Sequence, residues 1–156
     1  MGKLLLGGNM FKNLLAIRED FDMLQGDVAN IMGVNRSNIS KWENCSIIIP
    51  LEHLNTYSNY FNVSFDFLAG LGGSKRYDNV YKELDKGLVG SRLKQFRSDN
   101  GLTLRGLADI LNTSSSTLSA YETGKVLILT SFAYEICKRY NISMDWLCGK
   151  IKDSDC

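Results

Sequence analysis

The strongest constraint on this chain is that it repeats itself. A shift of 79 positions places Gly70 over Gly149, and the two halves then align without a gap from about Phe11 to Gly70 and from Gly90 to Gly149. A unit of about 60 residues is longer than the roughly 33 to 47 residues of helical solenoid repeats and suffices for a small domain with its own core. The repeat therefore predicts two tandem domains rather than an array.

Composition is compatible with two small cores, because 44% of the 156 residues are hydrophobic and 22% are charged. The apolar residues 4–6 near the start are far fewer than the roughly 18 residues of a membrane span, and no secretory cleavage site follows them. We therefore expect a cytoplasmic protein with no membrane partner.

The residues that commonly support catalysis or metal binding are sparse. No Cys-x-x-Cys pair, phosphate-binding glycine loop or nucleophile elbow is present, and the sole histidine, His53, has no cysteine at metal-ligand spacing. The sequence therefore predicts a partly exposed His53, reduced cysteines, no enzyme activity, no metal site and no cofactor. The cysteines are Cys45, Cys137, Cys148 and Cys156.

The net charge of +1 conceals a difference between the repeats. Residues 10–70 contain four basic and seven acidic side chains, whereas residues 89–149 contain seven basic and five acidic side chains. Neither repeat has the strongly cationic balance that by itself indicates a nucleic-acid-binding domain. Any case for DNA binding therefore depends on where individual side chains are placed.

In each repeat the apolar residues recur at helical spacing, which predicts an all-α protein of short helices. In the first repeat, Gly33 stands where a left-handed residue ends a helix, Asn35 is suited to cap the next helix, and Pro50 is suited to open a fourth. Ser64 is predicted to cap the fifth helix. The predicted helices cover residues 11–18, 25–32, 36–44, 50–61 and 65–68, with Val28, Ala29, Ile31, Met32, Ile39 and Trp42 facing inward.

The second repeat retraces this pattern, with Thr103 and Ser114 as the predicted caps. Between the repeats, a Gly-Gly-Ser stretch predicts a flexible exit, and the spacing of Val80, Tyr81 and Leu84 predicts a helix within residues 77–85. The predicted helices of the second repeat are 90–99, 103–111, 115–123, 130–140 and 143–147. We assign a first domain to residues 10–70, a partly helical linker to 71–87 and a second domain to 88–150.

The second and third helices of each repeat are separated by about four residues, which is typical of a helix-turn-helix. In that arrangement the later helix enters a major groove about 12 Å wide while the earlier helix crosses the phosphate backbone. The small Ala29 and Ala108 lie where the two helices must approach closely. The residues expected in the core beneath the exposed face are Ile39, Leu118, Trp42 and Tyr121, so the two aromatic rings are assigned to packing rather than base stacking.

The same segments resemble a known family. Residues 25–43, Gln-Gly-Asp-Val-Ala-Asn-Ile-Met-Gly-Val-Asn-Arg-Ser-Asn-Ile-Ser-Lys-Trp-Glu, are similar to the lambda-repressor-like helix-turn-helix domain of Cro and phage repressors, often called the XRE family. Residues 104–122 fit the same pattern, and the closing segments 62–70 and 141–149 resemble that family's last helix. The resemblance implies two tandem five-helix domains and a DNA-binding transcriptional regulator.

The resemblance also implies which side chains contact DNA. Arg36 and Lys41, on the exposed face of the third helix, are suited to donate to guanine O6 and N7, and Asn38 and Asn44 to phosphates. The predicted contacts of the first repeat are Gln25, Arg36, Ser37, Asn38, Ser40, Lys41 and Asn44, and those of the second are Arg105, Ser115, Ser116 and Ser119.

A structural ion pair is implied in each repeat, between an arginine of the first helix and the glutamate that closes the third. These pairs are Arg18 with Glu43 and Arg97 with Glu122.

The second repeat departs from the pattern of the first. It has Leu104, Ser115 and Ala120 where the first has glutamine, arginine and lysine. Its third helix therefore presents hydroxyl groups, which read sequence less decisively than long side chains, and Arg105 is placed to reach the DNA backbone. We assign most sequence readout to the first repeat; readout by the second repeat, or comparable binding by both, are the alternatives.

These inferences predict a sequence-specific regulator of double-stranded DNA, of the phage or mobile-element repressor type. A homodimer is compatible with this role, since a dimer matches a palindromic site. The alternative is a protein-interaction or dimerisation module, for example antitoxin-like, in which one domain has lost base readout and another protein is the partner. The serine-rich third helix of the second repeat keeps that alternative open.

Overall fold

The computed structural model describes residues 10–153, and over that range the chain is all-helical, with ten helices and no strand. The all-α class and the five helices in each repeat are confirmed. The chain forms two compact units that divide between Tyr77 and Asp78, inside the predicted linker. We call residues 10–77 the first unit and residues 78–153 the second unit; the predictions for residues 4–6 and Cys156 lie outside the described range.

The first unit contains five short helices whose ends agree with the predicted ends within two residues. Gly33 ends the second helix in the left-handed conformation at φ 67°, and the Ser64 hydroxyl accepts a hydrogen bond from the amide of Phe67, both as predicted. The helices are α1 (Asn13–Asp20), α2 (Gln25–Met32), α3 (Arg36–Glu43), α4 (Leu51–Phe61) and α5 (Phe65–Ala69).

Two predictions for the first unit are wrong. Ile31 is 41% exposed rather than inward-facing. The buried stripe of α2 is narrow and consists of Val28 and Ala29, and the Ile31 side chain points about 100° away from the centre of that stripe. Asn35 occupies the N-cap position of α3, but its side chain makes no capping hydrogen bond.

The second unit repeats the arrangement, and its predicted caps are confirmed. Thr103 accepts a hydrogen bond from the amide of Gly106, and Ser114 accepts one from the amide of Thr117. The first helix of this unit begins four residues earlier than predicted because Asp85 caps it, accepting from two backbone amides. The helices are α6 (Lys86–Asp99), α7 (Leu104–Leu111), α8 (Ser115–Glu122), α9 (Thr130–Tyr140) and α10 (Met144–Leu147).

The helix predicted within residues 77–85 is absent, and the linker is instead held by bonds to distant backbone. The Ser64 amide donates to the Lys75 carbonyl at 2.7 Å, and the Tyr81 amide donates to the Lys150 carbonyl at 2.8 Å. Asn79 also adopts a left-handed φ of 55°, which interrupts a helix. Hydrogen bonds between residues far apart in sequence therefore replace the local helical bonds that the spacing of Val80, Tyr81 and Leu84 predicted.

Equivalent positions of the two repeats supply the two cores. Leu14 and Leu93 are each at most 1% exposed, and the rings of Trp42 and Tyr121 are both 5% exposed, which confirms their assignment to packing. His53 is half-buried, as predicted, and its ring lies 5.2 Å from that of Trp42. The three described cysteines, Cys45, Cys137 and Cys148, form no disulfide.

Candidate nucleic-acid interface

In each unit two short helices meet across a three-residue turn. α2 packs against α3, and α7 packs against α8. Ala29 and Ile39 are buried at 3% and 1% exposure in the first pair, and Ala108 and Leu118 at 1% and 0% in the second. The alanine at each contact lets the second helix lie close to the first, because a larger side chain there would hold the helices apart. The opposite face of α3 and of α8 remains available to solvent.

The outer face of α3 presents long polar side chains. Arg36, Ser37 and Lys41 are exposed, and Asn38 and Ser40 are half-buried beside them. The structure thus places five of the predicted DNA contacts along one helix. A helix of this kind, with exposed arginine and lysine over an apolar inner face, is suited to a groove that displays hydrogen-bond acceptors.

The remaining two predicted contacts of the first unit lie at the ends of this helix pair. Gln25 is the first residue of α2 and is half-buried, and Asn44 is exposed directly after α3. The Asn44 side-chain oxygen accepts a hydrogen bond from the Ser46 amide at 2.8 Å, so it holds the turn that follows α3.

A chain of hydrogen bonds connects the exposed face of α3 with the interior of the unit. The Arg36 guanidinium donates through Nη1 to Gln25 Oε1 at 3.0 Å, and Gln25 Nε2 donates to Glu43 Oε1 at 3.0 Å. Glu43 in turn accepts two hydrogen bonds from Arg18, at 2.6 and 3.0 Å. We call Arg36, Gln25, Glu43 and Arg18 the arginine relay; its two guanidinium groups are joined through one amide and one carboxylate.

Each unit contains an ion pair between its first and third helices. Arg18 Nε lies 2.6 Å from Glu43 Oε2, and Arg97 Nε lies 2.7 Å from Glu122 Oε2. Both contacts are bidentate, and the side chains are only 5% to 14% exposed, so a charge-assisted bond ties the two helices together in a poorly hydrated place.

The arginine of each ion pair has a further anchor. Arg18 donates to the Met23 carbonyl at 2.7 Å, and Arg97 donates to the Leu102 carbonyl at 2.8 Å. The hydrogen bond to the glutamate raises the pKa of both guanidinium groups, against the smaller effect of burial, and so favours their charged form. An equivalent arginine–carbonyl contact therefore follows α1 and α6.

The second unit lacks the outer half of the relay. Leu104 and Ser115 stand at the positions of Gln25 and Arg36, so the ion pair is not extended to the surface. Ser115 and Ser119 are half-buried and Ser116 is exposed. α8 therefore offers short hydroxyl groups where α3 offers a guanidinium and an ammonium.

The basic residues of the second unit have different environments. Arg105, the second residue of α7, is exposed. Arg92, by contrast, is 7% exposed, and its Nη1 donates to the carbonyls of Trp146 and Ile151, each at 2.6 Å. Arg92 thus ties α10 and the residues that follow it to α6, whereas the Arg105 side chain is accessible to a phosphate group.

Within residues 10–153 no group of three or more histidine, cysteine, aspartate or glutamate side chains is placed to hold a metal ion. No helix in that range is both long enough and apolar enough to cross a membrane.

The fold and this interface define a protein with two helix-turn-helix domains in tandem. Comparison with protein families gives the same division, with a family described as Helix-turn-helix matching residues 14–68 and one described as Helix-turn-helix domain matching residues 90–150. The chain belongs to the lambda-repressor-like, or XRE, class of DNA-binding transcription regulators, with the domain present twice.

A known protein also resembles this chain. The antitoxin PezA of Streptococcus pneumoniae serotype 4 (strain ATCC BAA-334 / TIGR4) is 26% identical over 102 residues, which cover 60% of this chain and 64% of that protein. The chain therefore spans less than two thirds of the length of this relative. No solved structure matches the chain.

Sequence reasoning placed the predicted contacts on or directly beside α2, α3, α7 and α8 but did not predict the relay. It assigned Gln25 to DNA alone, whereas the structure also places this side chain between Arg36 and Glu43. A signal was present, because the second repeat loses the glutamine and the arginine together, at Leu104 and Ser115. Joint replacement of two residues suggests that their side chains work together.

Proposed function

We propose that the protein is a sequence-specific repressor of transcription, of the phage or mobile-element type, that binds double-stranded DNA mainly through its first unit. The observation that supports this proposal best is the arginine relay. Arg36 is an exposed side chain with many rotamers, and its hydrogen bond to Gln25 restricts these rotamers before the protein binds DNA. Less conformational entropy is then lost on binding.

An arginine held in this way is suited to the major groove. Its guanidinium keeps free N–H groups that can donate to guanine O6 and N7, a bidentate contact that gives about 1 to 3 kcal/mol of discrimination against other bases. Lys41 lies on the same face of α3 and adds a second positive charge. Ser37 and Ser40 contact the base edges or phosphates between them, and Asn38 and Asn44 contact the flanking backbone.

The second unit contributes affinity rather than sequence readout. Arg105 and the hydroxyls of Ser115, Ser116 and Ser119 are suited to phosphate oxygens, which do not differ between sequences. Because both units belong to one chain, binding of the first raises the effective concentration of the second near the duplex. In a homodimer the two copies of α3 would meet half-sites about 34 to 36 Å apart.

Selection from a pool of random duplexes tests the proposal, with the full chain used as bait. We expect enrichment of one motif, and we expect Arg36→Ala with Lys41→Ala to abolish the enrichment while leaving residual non-specific binding. Arg105→Ala is the matched control, since it removes a basic side chain from the second unit: overall affinity should fall uniformly across sequences. Loss of the motif in Arg105→Ala, but not in the double variant, would contradict the assignment to the first unit.

A second function is supported by the similarity to an antitoxin together with the serine-rich face of α8. In this alternative the chain regulates DNA through one unit and holds a protein partner through the other. Unchanged affinity for the enriched duplex when Arg105, Ser115, Ser116 and Ser119 are all replaced by alanine would favour it, because the second unit would then not contact DNA.

A further inference from the structure

The first unit has an apolar surface where α1 and α4 end. Phe21 is 49% exposed and Tyr60 is 51% exposed, and both rings pack edge-on against the buried ring of Phe61, each with centroids 4.9 Å apart. Leu24, in the turn that follows Phe21, is 72% exposed. We call Phe21, Leu24 and Tyr60 the aromatic surface. Large apolar side chains that are both exposed and clustered mark interaction sites more often than scattered ones do.

The second unit serves as an internal control for this surface. At the three equivalent positions it has Asn100, Thr103 and Arg139, all exposed, on the same helices and the same turn. The fold is therefore built equally well with polar side chains there. Since packing does not require the aromatic surface, its apolar character calls for a different explanation.

Acidic side chains flank the aromatic surface. Glu19, Asp20 and Asp22 precede and follow Phe21, and all three are exposed. The second unit retains only the middle one, as Asp99. The apolar patch and its negative rim are therefore both confined to the first unit, which suggests that they act together.

We propose that the aromatic surface binds a cationic amphipathic helix of another protein. The helix would lay its apolar side on Phe21, Leu24 and Tyr60 and direct lysine or arginine side chains toward the carboxylates. Charge argues against a second copy as the occupant, because pairing two such surfaces would bring the acidic rims together. The second unit of another copy is also unsuited as the occupant, because its equivalent surface is polar and has no apolar side chains to cover Phe21 and Tyr60.

Synthetic peptides provide a direct test with the full chain. The probe is a helix of about 18 residues, five turns, with leucines on one side and lysines on the other. A peptide of the same composition with scrambled order, and a leucine–glutamate version, serve as controls. We expect only the ordered leucine–lysine helix to bind, and titration calorimetry measures the affinity.

Replacing the aromatic surface with its counterparts from the second unit isolates the apolar contribution. The variant Phe21→Asn with Leu24→Thr and Tyr60→Arg should weaken binding of the ordered peptide at least about tenfold, because buried aromatic side chains dominate such interfaces. Val126→Thr is the matched control, since Val126 is a 52% exposed apolar residue of the second unit, and binding should be unchanged.

A second variant tests the acidic rim without disturbing the fold. Glu19→Ser with Asp22→Gly also copies the second unit, and Asp22 has a left-handed φ of 53° that glycine adopts without strain. We expect weaker binding and a shallower dependence on salt. This variant decides the question even if circular dichroism shows that the triple variant has unfolded.

Several results would overturn the proposal. Equal binding of the ordered and scrambled peptides would show attraction without a shaped site, and equal binding by the wild type and both variants would place the site elsewhere. Sedimentation that showed self-association of the wild type, lost in the triple variant, would identify a second copy as the occupant.

Discussion

The helices α3 and α8 occupy the same place in two copies of one scaffold, yet they present different chemistry. Beneath both helices the ion pair is almost identical, with shortest contacts of 2.6 Å in the first unit and 2.7 Å in the second. Above them, the first unit extends its pair through Gln25 to Arg36, while the second unit ends at the glutamate. The shared part maintains the fold, and the part found in one unit alone is free to serve recognition.

The same division holds for the aromatic surface. Phe21 and Tyr60 are exposed and apolar in the first unit, and their counterparts Asn100 and Arg139 are exposed and polar in the second. Tandem copies therefore act as controls for each other: a feature present in both is attributed to folding, and an exposed group of side chains present in one alone is attributed to a partner. Substitutions at equivalent positions of the two units test this attribution.

The largest expected effect is on stability, from removal of the shared glutamate. Glu43→Ala and Glu122→Ala each leave an arginine that is 12% or 14% exposed without its partner, and breaking a buried pair in this way costs about 3 to 5 kcal/mol. Each unit contains one of the two tryptophans, Trp42 or Trp146, so urea unfolding of single-tryptophan variants follows each unit separately.

Glu43→Ala and Glu122→Ala should lower the stability of their units equally but should differ in their effect on discrimination between DNA sequences. Glu43→Ala should also reduce sequence preference, because Gln25 loses its acceptor, whereas Glu122→Ala should not. Equal effects on sequence preference would show that the relay has no role in recognition.

The next largest expected effect is that the second unit gains the ability to distinguish DNA bases. Leu104→Gln with Ser115→Arg, made in a chain that carries Arg36→Ala and Lys41→Ala, should extend the Glu122 pair outward as in the first unit. A correctly held guanidinium adds about 1 to 3 kcal/mol of base discrimination, so selection from random duplexes should recover a motif that the parent variant does not enrich. Ser115→Arg alone is the control, and a similar motif from it would show that the glutamine is dispensable.

A third difference concerns pH. Burial lowers the pKa of Lys150 to about 8, against the opposing effect of Asp145, whereas the first unit has Leu71 at the equivalent position. Between this value and the ordinary pKa of a lysine, the unfolded chain binds more protons than the folded one, so stability rises with pH. Below pH 8 Lys150 is protonated in both the folded and the unfolded chain, so burying its ammonium group lowers stability by the full amount.

Lys150→Leu should remove this dependence from the second unit. The difference in unfolding free energy between wild type and variant, followed by Trp146 fluorescence, should change by about 3 kcal/mol in favour of the wild type from pH 7 to pH 10.5. A constant difference over that range would show that the buried amine does not titrate there.

Much of this architecture follows from local patterns in the sequence. Helical spacing located α2, α3 and α9 because each has an apolar stripe, and Gly33, Ser64 and Thr103 mark helix ends through their own backbone or side-chain preferences. Duplication strengthened the predictions at Gly33 and Ser64, since the counterparts Asn112 and Ser143 also end and cap a helix, whereas Thr103 has the apolar Leu24 as its counterpart.

The features that were missed depend on residues far apart in sequence. The bond from Tyr81 to the Lys150 carbonyl joins positions 69 residues apart and overrides the local helical spacing. In the same way, the adjacent rings of Tyr60 and Phe61 are 51% and 2% exposed, because neighbouring parts of the fold cover one side of α4 and not the other. Spacing along one helix cannot show which side its neighbours cover.

The smallest expected effect on stability comes from the N-terminal caps of α3 and α8. Ser114 accepts a hydrogen bond from the Thr117 amide, whereas Asn35, at the same position of the first unit, makes no side-chain cap. Ser114→Ala should therefore destabilise the second unit by about 1 kcal/mol, and Asn35→Ala should change the first unit by a few tenths at most. Urea unfolding of the single-tryptophan variants measures both. Equal losses would mean that the Asn35 side chain caps α3 in solution, and α3 and α8 would then begin in the same way.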